Sequence, residues 1–309
     1  MRSVSRTSDP LDFTGRTVVV TGGTRGLGRV IVRTFLDAGA DVVTCARSAP
    51  DEPVESTDGS RTAAFVEADV RDPDLVAGVV ATAVEQTGRV DVLVNNAGGA
   101  PPADSATVSP RFNEKILALN LTAPMTASQA VYPVMSVQDG GGVILNISSV
   151  SGGRPNPLGV AYGAAKAGLE NMTRTLAHEW GPAIRVVAVT VGMIITEEAG
   201  AFYGGEERRR AIAANLAARR LGNPSDVADM CLVLASPLAR WVTGTTVDLH
   251  AGPGDPPGPA WRSTVAARAP PTWTPEALTR VPPATRTAPA PCPPSGAGGR
   301  RRLRSATAR

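Results

Sequence analysis

The 309-residue sequence contains no apolar run near the ~18 residues needed to cross a bilayer, so no membrane span is expected. Its first residues, MRSVSRTSDPLDF, carry arginines and serines but lack the apolar stretch of a secretory signal. The three cysteines (Cys45, Cys231, Cys292) are odd in number and scattered, with neither disulfide nor metal-ligand spacing. A reducing cytoplasm is the expected setting, and no metal site is expected. The two histidines, His178 and His250, stand apart from each other and from any cluster of reactive residues, and packing is expected of both.

Acidic residues are scarce in one place only. The formal net charge is +3, and nine arginines stand against two acids after Gly252, which leaves the first 252 residues near −4. The basic pI of about 9.0 therefore belongs to the C-terminal segment. A nucleic-acid partner for a folded domain loses its main support. Residues 253–309 are dense in proline, alanine and arginine and poor in periodic apolar residues. Such a segment cannot bury enough surface to offset the entropy of ordering it, so it reads as a disordered tail. Residues 1–12 read as a flexible arm.

Between them, residues 13–252 alternate short β-branched runs with longer helical periods. The expected strands are 17–20, 41–45, 63–68, 90–95, 142–148, 184–190 and 245–250. Helices are expected over 26–39, 73–88, 109–135, 161–181 and 224–236. Continuous apolar strands alternating with helices indicate an α/β fold, one doubly wound domain with a seven-stranded, mostly parallel sheet.

The stretch TVVVTGGTRGLGRVIVRTF places Gly22, Gly26 and Gly28 between the first strand and the first helix. Glycines there let the backbone approach a pyrophosphate seated on the helix N-terminus. A glycine triplet alone is weak evidence, but the strand-to-helix context is the required one. Further along, YGAAK sets Tyr162 and Lys166 four residues apart, neighbours on one helical face. A phenol is only about one-thousandth ionised at neutral pH, and an adjacent ammonium is expected to lower its pKa towards general acid/base use.

The spacing T-G-x-x-x-G-x-G, with NNAG at 95–98 and YGAAK at 162–166, resembles the short-chain dehydrogenase/reductase family across residues 13–252. The resemblance implies a Rossmann-type domain and a nicotinamide cofactor. It also implies a catalytic set in which a serine lies thirteen residues before the tyrosine, which selects Ser149 and rejects Ser148. Ser149 is then expected to hydrogen-bond the substrate oxygen, Tyr162 to exchange a proton with it, and Lys166 to supply charge and hold the nicotinamide ribose. Asn120 corresponds to the asparagine that binds a water and links Lys166 to solvent. Cofactor contacts are implied for Gly22, Arg25, Gly26, Leu27, Gly28, Arg47, Asp69, Val70, Asn96, Ala97 and Gly98, as well as Tyr162 and Lys166. Asp69 corresponds to the acid that approaches the adenine amino group. VTVGMIIT (189–196) corresponds to the family's P-G-x-x-x-T segment, so Thr196 is expected to touch the cofactor's carboxamide or pyrophosphate and Ile194 to meet the carboxamide through its backbone. Here Val191 replaces the proline and Val187 an upstream asparagine. The following EEAGAFYGGEERRR is expected to form a lid, with Phe202 and Tyr203 as apolar contacts.

In the family an acid at the end of the second strand grips the ribose hydroxyls and selects NAD. The corresponding position here is Ala46, followed by Arg47, and Arg25 sits in the glycine turn. Guanidinium groups make charge-assisted bonds to a 2′-phosphate, so the expected cofactor is NADP(H). The expected activity is reduction of a ketone, a 3-oxoacyl thioester among the candidates, or the reverse oxidation of a secondary alcohol. An NAD-dependent alcohol dehydrogenase is the alternative. An enoyl reductase of the same fold has wider tyrosine–lysine spacing, and a sensing regulator without turnover would not need Asn120, Ser149, Tyr162 and Lys166 together. The expected partners are a small-molecule substrate and further copies of the chain. The resemblance implies a homotetramer or homodimer pairing the helices near 109–136 and 160–180.

Overall fold

β1 (Thr17–Thr21) is buried at every position, because both faces of a parallel sheet are covered by helices. A computed structural model describes residues 9–197 and 203–252. The expectations for residues 1–8, for Phe202 and for the 253–309 tail lie outside the described residues.

The remaining strands are β2 (Asp41–Ala46), β3 (Ala64–Glu67), β4 (Val92–Asn95), β5 (Gly142–Ser149), β6 (Ile184–Val191) and β7 (Thr245–Leu249). They form one seven-stranded sheet in the order β3-β2-β1-β4-β5-β6-β7. All its pairings are parallel, where a mostly parallel sheet was expected. Strand alternation splits the core into two layers. On β1, Val18 and Val20 pack with α1 (Gly26–Asp37), while Val19 packs on the opposite face with α2 (Pro73–Thr87). Each such valine contributes ~1.5–3 kcal/mol by leaving water.

On β5 the odd residues Val143, Leu145 and Ile147 face the α1 side, while Ile144 faces the other layer. The even positions near its C-terminal end are polar. Asn146 donates to Thr173 at 2.9 Å and accepts from Asn95 at 2.9 Å, so each buried amide is satisfied across elements. The order reverses between β1 and β4, and the crevice at the C-terminal ends of strands beside such a switch is where doubly wound sheets bind ligands.

The helix expected over 109–135 is interrupted. It consists of α3 (Pro110–Leu117), a π turn at Ala118–Thr122, and α4 (Ala123–Met135). Two groups account for the break. Pro124, four residues after Asn120, has no N–H for the Asn120 carbonyl. The Asn120 amide in turn donates to the Ile116 carbonyl at 2.9 Å. α5 (Val160–Trp180) and α7 (Pro224–Ala235) lie where the periodicity places them. The segment expected as a lid contains α6 (Glu206–Ala214), whose Glu206 pairs with Arg209 and Arg210.

Candidate active site

α1 begins without a capping side chain and without an acid in its first turn. Its unpaired N–H groups and positive dipole end are therefore directed at the cleft above β1. Gly28 is required there by close approach: a Cβ would fall 2.1 Å from the Gly22 carbonyl oxygen and 2.5 Å from Asn96 Nδ2. Gly26 has φ +52° and only Thr196 within 4.0 Å of its missing Cβ, so the space over the turn is open. Asn96 pins the turn from β4, donating to the Thr21 and Gly22 carbonyls at 2.9 and 3.1 Å. Asn95, the first residue of NNAG, points instead into the core.

A cleft of ≈ 1170 Å³ runs along the strand ends. It is lined by Gly22, Arg25, Gly26, Leu27, Gly28, Arg47, Asp69, Val70, Asn96, Ala97 and Gly98, and by Ser149, Tyr162, Lys166 and Thr196. An uncapped helix start, a turn free of Cβ atoms and a long cleft fit a dinucleotide, with the pyrophosphate at α1. Ile194 is not among the lining residues. It bridges to Gly222, and its N–H is hydrogen-bonded to the Tyr203 hydroxyl. Val191, at the family's proline position, ends β6 in register with Ser149 and Leu249, which a residue lacking an N–H would not favour.

Ser148 and Ser149 diverge at the end of β5. Ser148 is buried and donates to Glu170 at 2.8 Å, whereas Ser149 is half-buried and hydrogen-bonds Tyr162. Lys166 is 4% exposed, donates from Nζ to the Ile147 carbonyl at 2.8 Å, and lies 5.6 Å from the centre of the Tyr162 ring. Burial pulls its pKa from 10.5 down to about 8, against the opposing field of Glu170.

The expected lowering of the Tyr162 pKa is not found. Burial raises it, and the Ser149 hydrogen bond only partly opposes this. The physical reason is the placement of the ammonium, which sits against the ring face and is committed to a backbone carbonyl rather than to the phenol oxygen. Tyr162 is thus held as a neutral proton donor. The Asn120 side chain is also already committed: it accepts from Gly99 N–H at 2.9 Å and donates to the Gly99 carbonyl at 3.0 Å. A water at this position would have to use the backbone carbonyl that Pro124 leaves without its helical donor.

Asp69 lines the cleft with both carboxylate oxygens held by Arg71, at 2.9 Å from Nε and 2.5 Å from Nη2. That pairing holds its pKa at about 2. Arg71 and Glu170 were not singled out from the sequence. Arg71 was visible only as the second residue after Asp69, and Glu170 as a lone acid one turn beyond Lys166. Arg29 also lines the cleft, but donates to the Glu52 and Pro53 carbonyls at 3.1 and 3.0 Å and so fastens a loop. Among the described residues no cluster of His, Cys, Asp and Glu could hold a metal ion, and no helix is long and apolar enough to cross a membrane. Burial raises the thiol pKa values of Cys45 and Cys231 to about 11 and 12, which makes both unreactive.

The family profile described as enoyl-(acyl carrier protein) reductase matches residues 22–253. The chain belongs to the short-chain dehydrogenase/reductase family. It is 35% identical over 235 residues to a 3α-hydroxysteroid dehydrogenase of Mediterraneibacter gnavus, covering 74% of this chain and 93% of that one. A 7α-hydroxysteroid dehydrogenase of Bacteroides fragilis is 34% identical over 251 residues, covering 78% and 95%. Among solved structures, a 7α-hydroxysteroid dehydrogenase complexed with NADH and 7-oxo glycochenodeoxycholic acid superposes with TM-score 0.72 at 30% identity, covering 81% of this chain and 98% of that one. This chain is accordingly an oxidoreductase of the family, acting on alcohol or ketone groups with a nicotinamide dinucleotide.

Proposed function

We propose that the protein is an NADP(H)-dependent reductase of ketones, with Asn120, Ser149, Tyr162 and Lys166 as its catalytic set. When bound, the nicotinamide supplies hydride to the carbonyl carbon. The Ser149 hydroxyl donates to the carbonyl oxygen, and Tyr162 gives that oxygen its proton, so that ketone becomes secondary alcohol. The phenolate left on Tyr162 is stabilised by Lys166 and regains its proton from solvent along the Lys166–Asn120 side. Burial moves the Tyr162 pKa further up from the ordinary phenol value, so the phenol carries the proton a general acid must give, which supports the reducing direction.

The NADP(H) reading rests on one observation: β2 ends at Ala46, where no carboxylate is present, and Arg47 follows it on the cleft wall. The domain would span residues 13–252, with the flanking segments outside it. NAD is the second reading, favoured by Asp51 and Glu52 on the same wall and by the structural relative complexed with NADH. The two hydroxysteroid dehydrogenases put oxosteroids beside 3-oxoacyl thioesters as substrates to test. A panel of both classes, followed by loss of NADPH and NADH absorbance, tests the reading. Tyr162→Phe should then lower turnover on the active substrate by orders of magnitude without loss of fold. Retention of most activity in that variant overturns the catalytic assignment.

A further inference from the structure

We propose that Glu170 is a positioning residue of this site: its carboxylate fastens the ends of β5 and β6 to α5 and sets a negative charge one helical turn from the Lys166 ammonium. The proposal rests on the reading of Lys166 given above. Glu170 Oε1 accepts from Ser148 Oγ at 2.8 Å and from Thr190 Oγ1 at 3.3 Å. Ser148 and Thr190 are register partners and both are buried, so one oxygen binds two strands at the site's edge. Three consecutive residues of β5 are thereby set from α5. Lys166 takes the Ile147 carbonyl, Glu170 takes the Ser148 hydroxyl, and Ser149 is left to meet Tyr162. Turning Ser148 towards α5 fixes the direction in which its neighbour leaves the strand.

Hydrogen bonding alone does not account for a carboxylate here, since an amide oxygen would accept from the same two hydroxyls. Its charge acts on Lys166, one turn away on the same helical face. On α5 the titratable groups flanking Lys166 are Tyr162 and Glu170. β5 presents the Ile147 carbonyl, Ser148 and Ser149, the loop after β4 presents Gly98, and the π turn presents Asn120, all neutral. β6 adds Thr190, also neutral, and Tyr203 faces Tyr162. The charged residues of α3 (Arg111, Glu114, Lys115) are exposed, and Asp248 of β7 is exposed beside His250. The opposing field that limits the fall of the Lys166 pKa comes from Glu170.

Lys115 and Lys166 are the only lysines in the sequence, which makes the test direct. In a Lys115→Arg background, 13Cε-labelled lysine gives one signal, and its pH titration reports Lys166 without any need for turnover. Glu170→Gln keeps an acceptor for Ser148 and Thr190 and removes the charge. The Lys166 titration should fall by about one pH unit or more, and the alkaline limb of kcat/KM should move down with it. Ser148→Ala leaves the charge in place, so Lys166 should titrate at or above its parent value. It is also the variant to use if Glu170→Gln fails to fold. An unmoved lysine titration in Glu170→Gln, or a fall in Ser148→Ala, overturns the proposal. A lysine that shifts while the rate profile stays put overturns instead the assignment of Lys166 in the reaction.

Discussion

Replacing Lys166 by methionine should destroy turnover and yet stabilise the cofactor-free fold at neutral pH. The folded protein holds an ammonium whose pKa has fallen from 10.5 to about 8 through burial. At about 1.4 kcal/mol per pH unit, that fall corresponds to about 3 kcal/mol lost below pH 8. Methionine fills similar volume without the charge. It also abandons the Ile147 carbonyl, and a lost hydrogen bond of this kind costs about 1 kcal/mol. The net gain is about 2 kcal/mol, or roughly 4–8 °C in Tm for a domain of this size. The sign with pH follows from proton counting. Between pH 8 and 10.5 the unfolded chain binds more protons than the folded one, so the parent gains stability as pH rises through this window, while the variant does not. The ammonium penalty falls to about 1.4 kcal/mol at pH 9.5, so the gap between the two proteins should be full at pH 7 and shrink there to about 0.4 kcal/mol. Urea unfolding of both proteins at the two pH values measures it. A variant less stable than the parent at pH 7, or a gap independent of pH, would refute the account of a buried, destabilised ammonium.

Four other outcomes are expected. Arg47→Ala should weaken NADPH by about tenfold or more, from one lost charged contact, and leave NADH nearly unchanged. Ala46→Asp should move preference further towards NADH, because a carboxylate accepts the ribose hydroxyls and repels a 2′-phosphate. Steady-state kcat/KM for both cofactors checks the pair, and a parent that already prefers NADH contradicts the premise. Gly28→Ala should abolish cofactor binding measured by fluorescence titration, since its Cβ would overlap the Gly22 carbonyl at 2.1 Å and the turn must open; ordinary affinity would show that the turn yields. The exposed Leu117, Met125, Tyr132 and Val160 on the α3–α4 and α5 faces should be covered by a second copy. Light scattering should give a dimer or tetramer that Val160→Asp weakens, and a monomeric parent at micromolar concentration contradicts this.

What could be read from the sequence divides along a physical line. The strands were legible because parallel strands are apolar on both faces, so VVV, VILNIS and VVAVT stand out wherever they occur. The site residues were legible through spacing: Ser149 and Lys166 are fixed relative to Tyr162 by a strand end and by one helical turn. The π turn was not legible. The segment from 109 to 135 keeps its helical period throughout, and Pro124 alone does not reveal a π turn; the break also needs the Asn120 amide to take the Ile116 carbonyl, which only the folded chain shows. Electrostatic directions were hidden for the same reason. Spacing alone places Lys166 beside Tyr162 and suggests a lowered phenol pKa. The sign is set by how deeply both groups are buried and by the Ile147 carbonyl that claims the ammonium. Glu170 shows the limit most clearly. In GLENMT it is an ordinary helical acid, and only the folded chain brings Ser148 and Thr190, separated by 22 and 20 positions from it, to one of its oxygens. The reactive groups of this site are thus written as a local motif. Their charge states are set by residues the motif does not contain, so variants outside it should move the pH profile while leaving the chemistry in place.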